Sequence, residues 1–131
     1  MPPEQNPLTA LRAAADAVRQ QLQVNNFDAA GVQRLSDFIE GQRAQLPEAS
    51  REGVINALGC FLGECIAQTY QGEWATGPDG TTGIGLRNKL FLNPFYRVGQ
   101  QLNHGLADSV VAFFEQIPAR LEAEVPRKSW I

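Results

Sequence analysis

The chain has 131 residues, 44% of them apolar and 19% charged, with a net charge of −3. That composition fits one globular domain, residues 1–131, able to bury a core without disulfide or metal staples, and it excludes a disordered chain. The 11 basic residues are spread thinly, so no stripe exists to neutralise the phosphates of nucleic acid or an anionic membrane surface.

The start, MPPEQNPL, has neither a charged n-region nor an apolar h-region. No signal peptide is expected, and the expected location is cytoplasmic. Leu8, Leu11, Ala15, Val18 and Leu22 recur at helical spacing and predict a first helix from about Leu8 to Gln23, broken by Asn25-Asn26. Asp28 is the expected N-cap of a second helix with Val32, Leu35, Phe38 and Ile39 on its buried stripe, ended by Pro47.

A third helix should run from about Glu48 to Tyr70. Asn56, Glu64 and Gln68 interrupt its apolar stretch, whereas a membrane-spanning helix needs roughly 20 predominantly apolar residues, so it reads as a core helix. Val54, Leu58, Phe61, Leu62 and Cys65 form one apolar face, and Gly59, Gly63 and Ala67 form a second, nearly bare stripe. Each internal glycine costs about 1 kcal/mol relative to alanine. Two of them predict close approach of another helix or of the sheet, with the helix central and covered on both sides.

The period then changes. Glu73–Thr76 reads as a strand and Gly77-Pro78-Asp79-Gly80 as a turn. Thr82, Ile84 and Leu86 alternate with Gly83, Gly85 and Arg87, giving a strand with one apolar face. A tight turn at Asn88-Lys89 leads into Leu90–Leu92. The expected fold is therefore α+β, a three-stranded antiparallel meander packed with about five helices. Asn93-Pro94 starts a short helix carrying Phe95, Val98 and Leu102. Asp108 or Ser109 can cap a last helix with Val110, Phe113, Phe114, Ile117 and Leu121 inward, which Pro118 should kink or split. Residues 1–6 and 126–131 are expected to be flexible.

Recognisable reaction centres are missing. Cys60 and Cys65 are five apart, about 140° around a helix and too separated for the roughly 7 Å Cα limit of a disulfide, so both are expected to be reduced structural thiols. Gly83-Ile84-Gly85-Leu86-Arg87-Asn88 lacks the third glycine and the following helix of a dinucleotide fingerprint. His104 is the sole histidine, expected at a helix C-terminus on the surface. No metal, no cofactor and no catalytic residue is expected. Glu64 is the best candidate for chemistry: an acid on an apolar helix, desolvated enough to act as a general acid or base. Its structural alternative is an ion pair with Arg87 or Arg97, or hydrogen bonds from strand N–H groups. Trp74 and Tyr96 could wall a pocket around it, and Glu73 could make it a paired-acid site.

The segments ALGCFLGECIAQTYQGEW and LFLNPFYRVGQQL together resemble an uncharacterised bacterial domain family, a domain of unknown function. That family combines a Leu-Gly-x-x-x-Gly-Glu helix, a Trp-bearing strand and a Pro-Phe helix start. The matching residues are Leu58, Gly59, Gly63, Glu64, Trp74, Pro94 and Phe95. Members often carry a basic residue after the Pro-Phe start, where this chain has Gln100-Gln101. The resemblance implies an α+β domain of bacterial origin and no assigned activity.

The leading functional expectation is a non-enzymatic protein-binding or interaction module, immunity-like in kind, with Glu64, Trp74, Arg87, Tyr96 and Arg97 as candidate binding residues and another protein as partner. The alternative is a small-ligand binder or an enzyme using a cleft around Glu64 and Trp74. A third expectation is a homodimer formed through Trp130 and the last helix.

Overall fold

A computed structural model of the chain describes residues 7–77, 80–87 and 89–122. The expectations for residues 1–6 and 126–131, for Trp130, and for Pro78, Asp79 and Asn88 lie outside the described residues. In chain order the elements are α1 (Pro7–Leu22), α2 (Ala29–Gln42), α3 (Glu48–Tyr70), β1 (Glu73–Thr76), β2 (Thr82–Leu86), β3 (Leu90–Leu92), α4 (Pro94–His104), a 3-10 turn (Gly105–Asp108) and α5 (Val110–Glu122). This is an α+β fold with a three-stranded antiparallel sheet in the order β1-β2-β3.

The caps follow from local chemistry. Asp28 accepts from the Gly31 amide at the start of α2, and Asn93 accepts from the Tyr96 amide ahead of Pro94 in α4. Each satisfies an N–H that the helix itself leaves unpaired. Ser109 rather than Asp108 caps α5, its hydroxyl accepting from Val111 and Ala112. Pro118 does not split α5, which continues through it to Glu122. Proline removes the donor that the Phe114 carbonyl would receive four residues earlier. The Tyr70 hydroxyl supplies one instead, at 3.0 Å.

α3 is the centre of the molecule. Nine consecutive residues, Leu58 to Ile66, are buried, so no face of that stretch meets solvent, as a helix covered on more than one side requires. Phe61, Leu62 and Ile66 are fully buried, each contributing about 1.5–3 kcal/mol over an exposed position. They join Leu35 and Ile39 of α2, Val98 of α4, Ile117 of α5 and the strand residues Ile84 and Leu92 in one continuous core cluster.

The sheet places Trp74 opposite Ile84, and Ile84 opposite Leu92, so all three side chains share the face toward the core. The glycines of β2 serve close approach. A Cβ on Gly83 would overlap the Leu92 carbonyl oxygen, and Phe91, opposite Gly85, lies 3.8 Å from where a Gly85 Cβ would be. An aromatic ring thus covers the bare side of the strand. In the β2–β3 turn the Lys89 amide donates to the Leu86 carbonyl at 2.9 Å, and Arg87 has φ of +53°. That bond closes the turn between Leu86 and Lys89. No helix among the described residues is long and apolar enough to cross a membrane.

Candidate functional site

Glu64 and Trp74 come together. Glu64 is only 4% exposed, yet both its carboxylate oxygens are engaged. Oε2 accepts from Trp74 Nε1 at 2.8 Å and lies 3.5 Å from Arg12 Nε, and Oε1 accepts from Gln68 Nε2 at 2.9 Å. The cation is Arg12 of α1, not Arg87 or Arg97. Arg87 is exposed in the β2–β3 turn, and Arg97 lies on α4 with its guanidinium 4.5 Å above the Phe113 ring. Glu73 is exposed on β1 and is not among the partners of Glu64.

The bare stripe of α3 receives aromatic rings. A Cβ on Gly63 would overlap the Trp74 indole, and a Cβ on Gly59 would overlap the Phe95 ring. The two rings touch each other, with centroids 6.0 Å apart. Gly59, Gly63, Glu64, Trp74 and Phe95 are thus one packing unit. Glycine makes room for each ring, and Glu64 fixes the indole through its N–H.

Two open clefts flank this unit. The larger, about 750 Å³, is lined by Pro7, Ala10, Leu11 and Ala14 of α1, by Gly53, Asn56, Ala57 and Cys60 of α3, and by Thr81, Thr82, Asn93 and Phe95. Its walls are mostly carbon and its side chains small. The smaller, about 500 Å³, is lined by Arg12, Asp16, Phe27, Glu64, Ala67, Gln68 and Gly72. Glu64 therefore borders a cleft, but neither Trp74 nor Tyr96 lines it. Tyr96 is 55% exposed on α4, beside Arg97 at 5.7 Å. No group of three or more His, Cys, Asp and Glu side chains among the described residues could hold a metal ion.

Cys60 and Cys65 are both free and buried. Burial, then the charge of Glu64, pushes the Cys60 thiol up to about 11. Burial, then Asp28 and Glu64, pushes Cys65 further still. Both are neutral thiols at physiological pH and poor nucleophiles. Their linkage to folding has a definite sign. Unfolded thiols lose their protons near pH 8.5 while the folded ones keep theirs, so stability is flat below that pH and declines above it, by up to about 1.4 kcal/mol per pH unit per thiol. Urea unfolding at pH 8, 9 and 10 should show the decline, and a Cys60→Ala/Cys65→Ala double variant should lose most of it. An equal decline in that variant would assign it to other groups.

Sequence reasoning missed Gln101. It is completely buried, with Nε2 donating to Ser36 Oγ at 3.0 Å and Glu40 Oε2 at 2.8 Å, and Oε1 accepting from the Val110 amide at 2.8 Å. A glutamine on a helix ordinarily faces solvent, so its type carried no signal of this role.

Compared with protein-family models, with curated proteins and with solved structures, the chain finds no match in any of the three.

Proposed function

We propose that this chain is a non-enzymatic protein-binding module, immunity-like in kind, that receives apolar side chains of a partner protein in the groove between α1, α3 and the start of α4. The observation that carries this reading is the groove itself: about 750 Å³ of open, carbon-lined space with Leu11, Ala57 and Phe95 at its walls. An open apolar patch with a few polar groups at its margin, here Asn56, Thr82 and Asn93, is a surface suited to a protein partner. The commitments of Glu64 support the same reading, because its oxygens bond to Trp74 and Gln68, leaving its carboxylate occupied in structure.

Gly53 supplies a selective test. It lines the groove, and a Cβ there would meet nothing within 4 Å. Gly53→Ala and Gly53→Gln should both fold and gain up to about 1 kcal/mol of stability from helix propensity. The partner captured by the wild type from its native cell, then purified, should bind Gly53→Ala with unchanged Kd. It should bind Gly53→Gln about tenfold or more weakly, a difference of about 1.4 kcal/mol. Equal affinity for all three chains would place the interface elsewhere.

A second reading, a small-ligand binder or an enzyme, draws on the cleft of about 500 Å³ that Glu64 and Arg12 share. Turnover or binding of a small molecule that Glu64→Gln abolishes in a folded protein would favour it over the first.

A further inference from the structure

We infer that the free edge of β1 takes an extended segment of the partner protein as a fourth strand of the sheet, with apolar side chains at the positions that face the helices. This rests on the reading of the α1–α3 groove as a protein-binding surface, and it names the form of the segment bound there.

The first observation is which way the backbone of β1 points. Its register with β2 sets Glu73 opposite Gly85, Trp74 opposite Ile84, Ala75 opposite Gly83 and Thr76 opposite Thr82. The same register continues to Gly77 and Thr81, where the Gly77 amide donates to the Thr81 carbonyl at 2.7 Å. Antiparallel ladders alternate between pairs that exchange hydrogen bonds and pairs that do not. With Gly77 bonded to Thr81, the Ala75–Gly83 and Glu73–Gly85 pairs are the bonded ones along β1. The amides and carbonyls of Trp74 and Thr76 therefore point away from β2. β1 is an edge of the sheet, and among the described residues no other group bonds to them. Glu73, Ala75 and Thr76 are exposed. Neither proline nor lysine, common guards of a free edge, occurs in β1.

The second observation is where that strand runs. The Trp74 indole rests on Gly63 of α3, and its Nε1 reaches Glu64. Along α3 the larger groove takes Gly53 to Cys60 and the smaller cleft takes Glu64 to Gln68, and α1 walls both. The indole thus stands where one opening gives way to the other. Gly72, just before β1, lines the smaller opening, and Thr82, opposite Thr76, lines the larger. β1 runs from the one to the other.

Two amides and two carbonyls at strand spacing are matched by another extended backbone. Two partner residues, paired with Trp74 and Thr76, would each exchange two hydrogen bonds with β1. Their side chains would fall on the face that Trp74 turns toward α3. Leu11, Ala57 and Phe95 make the larger groove carbon-lined there, so apolar side chains fit. A second copy of this chain suits the edge less well. A symmetric β1–β1 pair about Ala75 would join the four residues of each strand and leave both clefts empty. Stable interfaces use about 20–30 residues a side.

The test uses the full chain, with a displayed library of random linear peptides as the probe. In the free chain the Trp74 and Thr76 amides should exchange quickly with deuterium and the Ala75 amide slowly. Peptides selected on the wild type should carry alternating apolar residues and slow the Trp74 and Thr76 amides when bound. Thr76→Pro removes one outward N–H and no bond to β2. It should weaken the selected peptides about tenfold or more, whereas Thr76→Ala, which keeps the amide, should leave their Kd unchanged. Circular dichroism checks the fold of both variants, and if Thr76→Pro does not fold, the exchange rates of the wild type decide alone. Gly53→Gln separates this inference from the reading it rests on. Peptides weakened by Gly53→Gln but indifferent to Thr76→Pro, with both amides still fast, would keep the groove and overturn strand addition. Peptides weakened by Thr76→Pro alone would uphold strand addition and move the partner off the groove. Failure to select any peptide would overturn the inference. Slow Trp74 and Thr76 amides in the free chain would overturn it too, and a slowing that grows with chain concentration would assign the edge to a second copy.

Discussion

Gly63→Ala is expected to destabilise the protein by about 2 kcal/mol and Gly63→Val by about 3–5 kcal/mol, although either change would strengthen an isolated helix. The new Cβ would overlap the benzenoid edge of Trp74. That ring is tied on two sides. Its Nε1 donates to Glu64 at 2.8 Å, and Phe95 lies against it. Making room means either overpacking, which costs about 1–3 kcal/mol, or breaking a hydrogen bond to a buried carboxylate, worth about 1.5–3 kcal/mol. Urea unfolding measures the loss. In a Trp74→Phe background the smaller ring should yield, so Gly63→Ala should cost at least about 1 kcal/mol less there. Companion changes at Glu64 separate its roles. Glu64→Gln keeps an acceptor for the indole and should lose about 1 kcal/mol, whereas Glu64→Ala strands a shielded N–H and should lose about 2–4 kcal/mol. A Gly63→Ala protein as stable as the wild type would show that the stripe is not packed.

Gln101→Leu is expected to cost about 3 kcal/mol or more despite nearly equal volume. Gln101 links α4 to α2 through Ser36 and Glu40, and to α5 through the Val110 amide. Leucine removes both halves of the amide at once. It leaves the Val110 N–H, at the first residue of α5, buried without an acceptor, at about 1–3 kcal/mol. It also leaves Glu40 with only Arg43, at 3.6 Å. Ser36→Ala should be milder, about 1 kcal/mol, because Glu40 and Val110 keep their bonds to Gln101. A double-mutant cycle between Ser36→Ala and Gln101→Leu should show coupling. A Gln101→Leu protein of unchanged stability would mean that the three helices are held by apolar contacts alone.

Both residues illustrate what was legible in the pattern and what was not. Gly59 and Gly63, one turn apart within the apolar part of α3, announced a close approach, because glycine in a helix interior is costly without one. Which group would approach was not legible, since Trp74 and Phe95 reach the stripe from different elements. The anomaly of Glu64 was equally visible, but its cation was not. Arg12 lies on α1, and pairing it with Glu64 depends on how α1 docks beside α3. Arg87 and Arg97, nearer in sequence, are carried away by the turn after β2 and by the packing of Arg97 over Phe113 of α5.

Local chemistry by itself determined the elements of this protein: the span of α3 from Glu48 to Tyr70, the three strands, and the caps at Asp28 and Asn93. Those features arise from periodicity, backbone preference and donors that a neighbouring side chain can satisfy. Tertiary structure alone decided the polar partnerships. Glu64 with Arg12, Gln101 with Ser36 sixty-five residues away, and the Tyr70 hydroxyl on the carbonyl freed by Pro118 all join separate elements. The reason is physical. A buried polar group must find a partner wherever the packed chain places one, and sequence spacing says nothing about that distance.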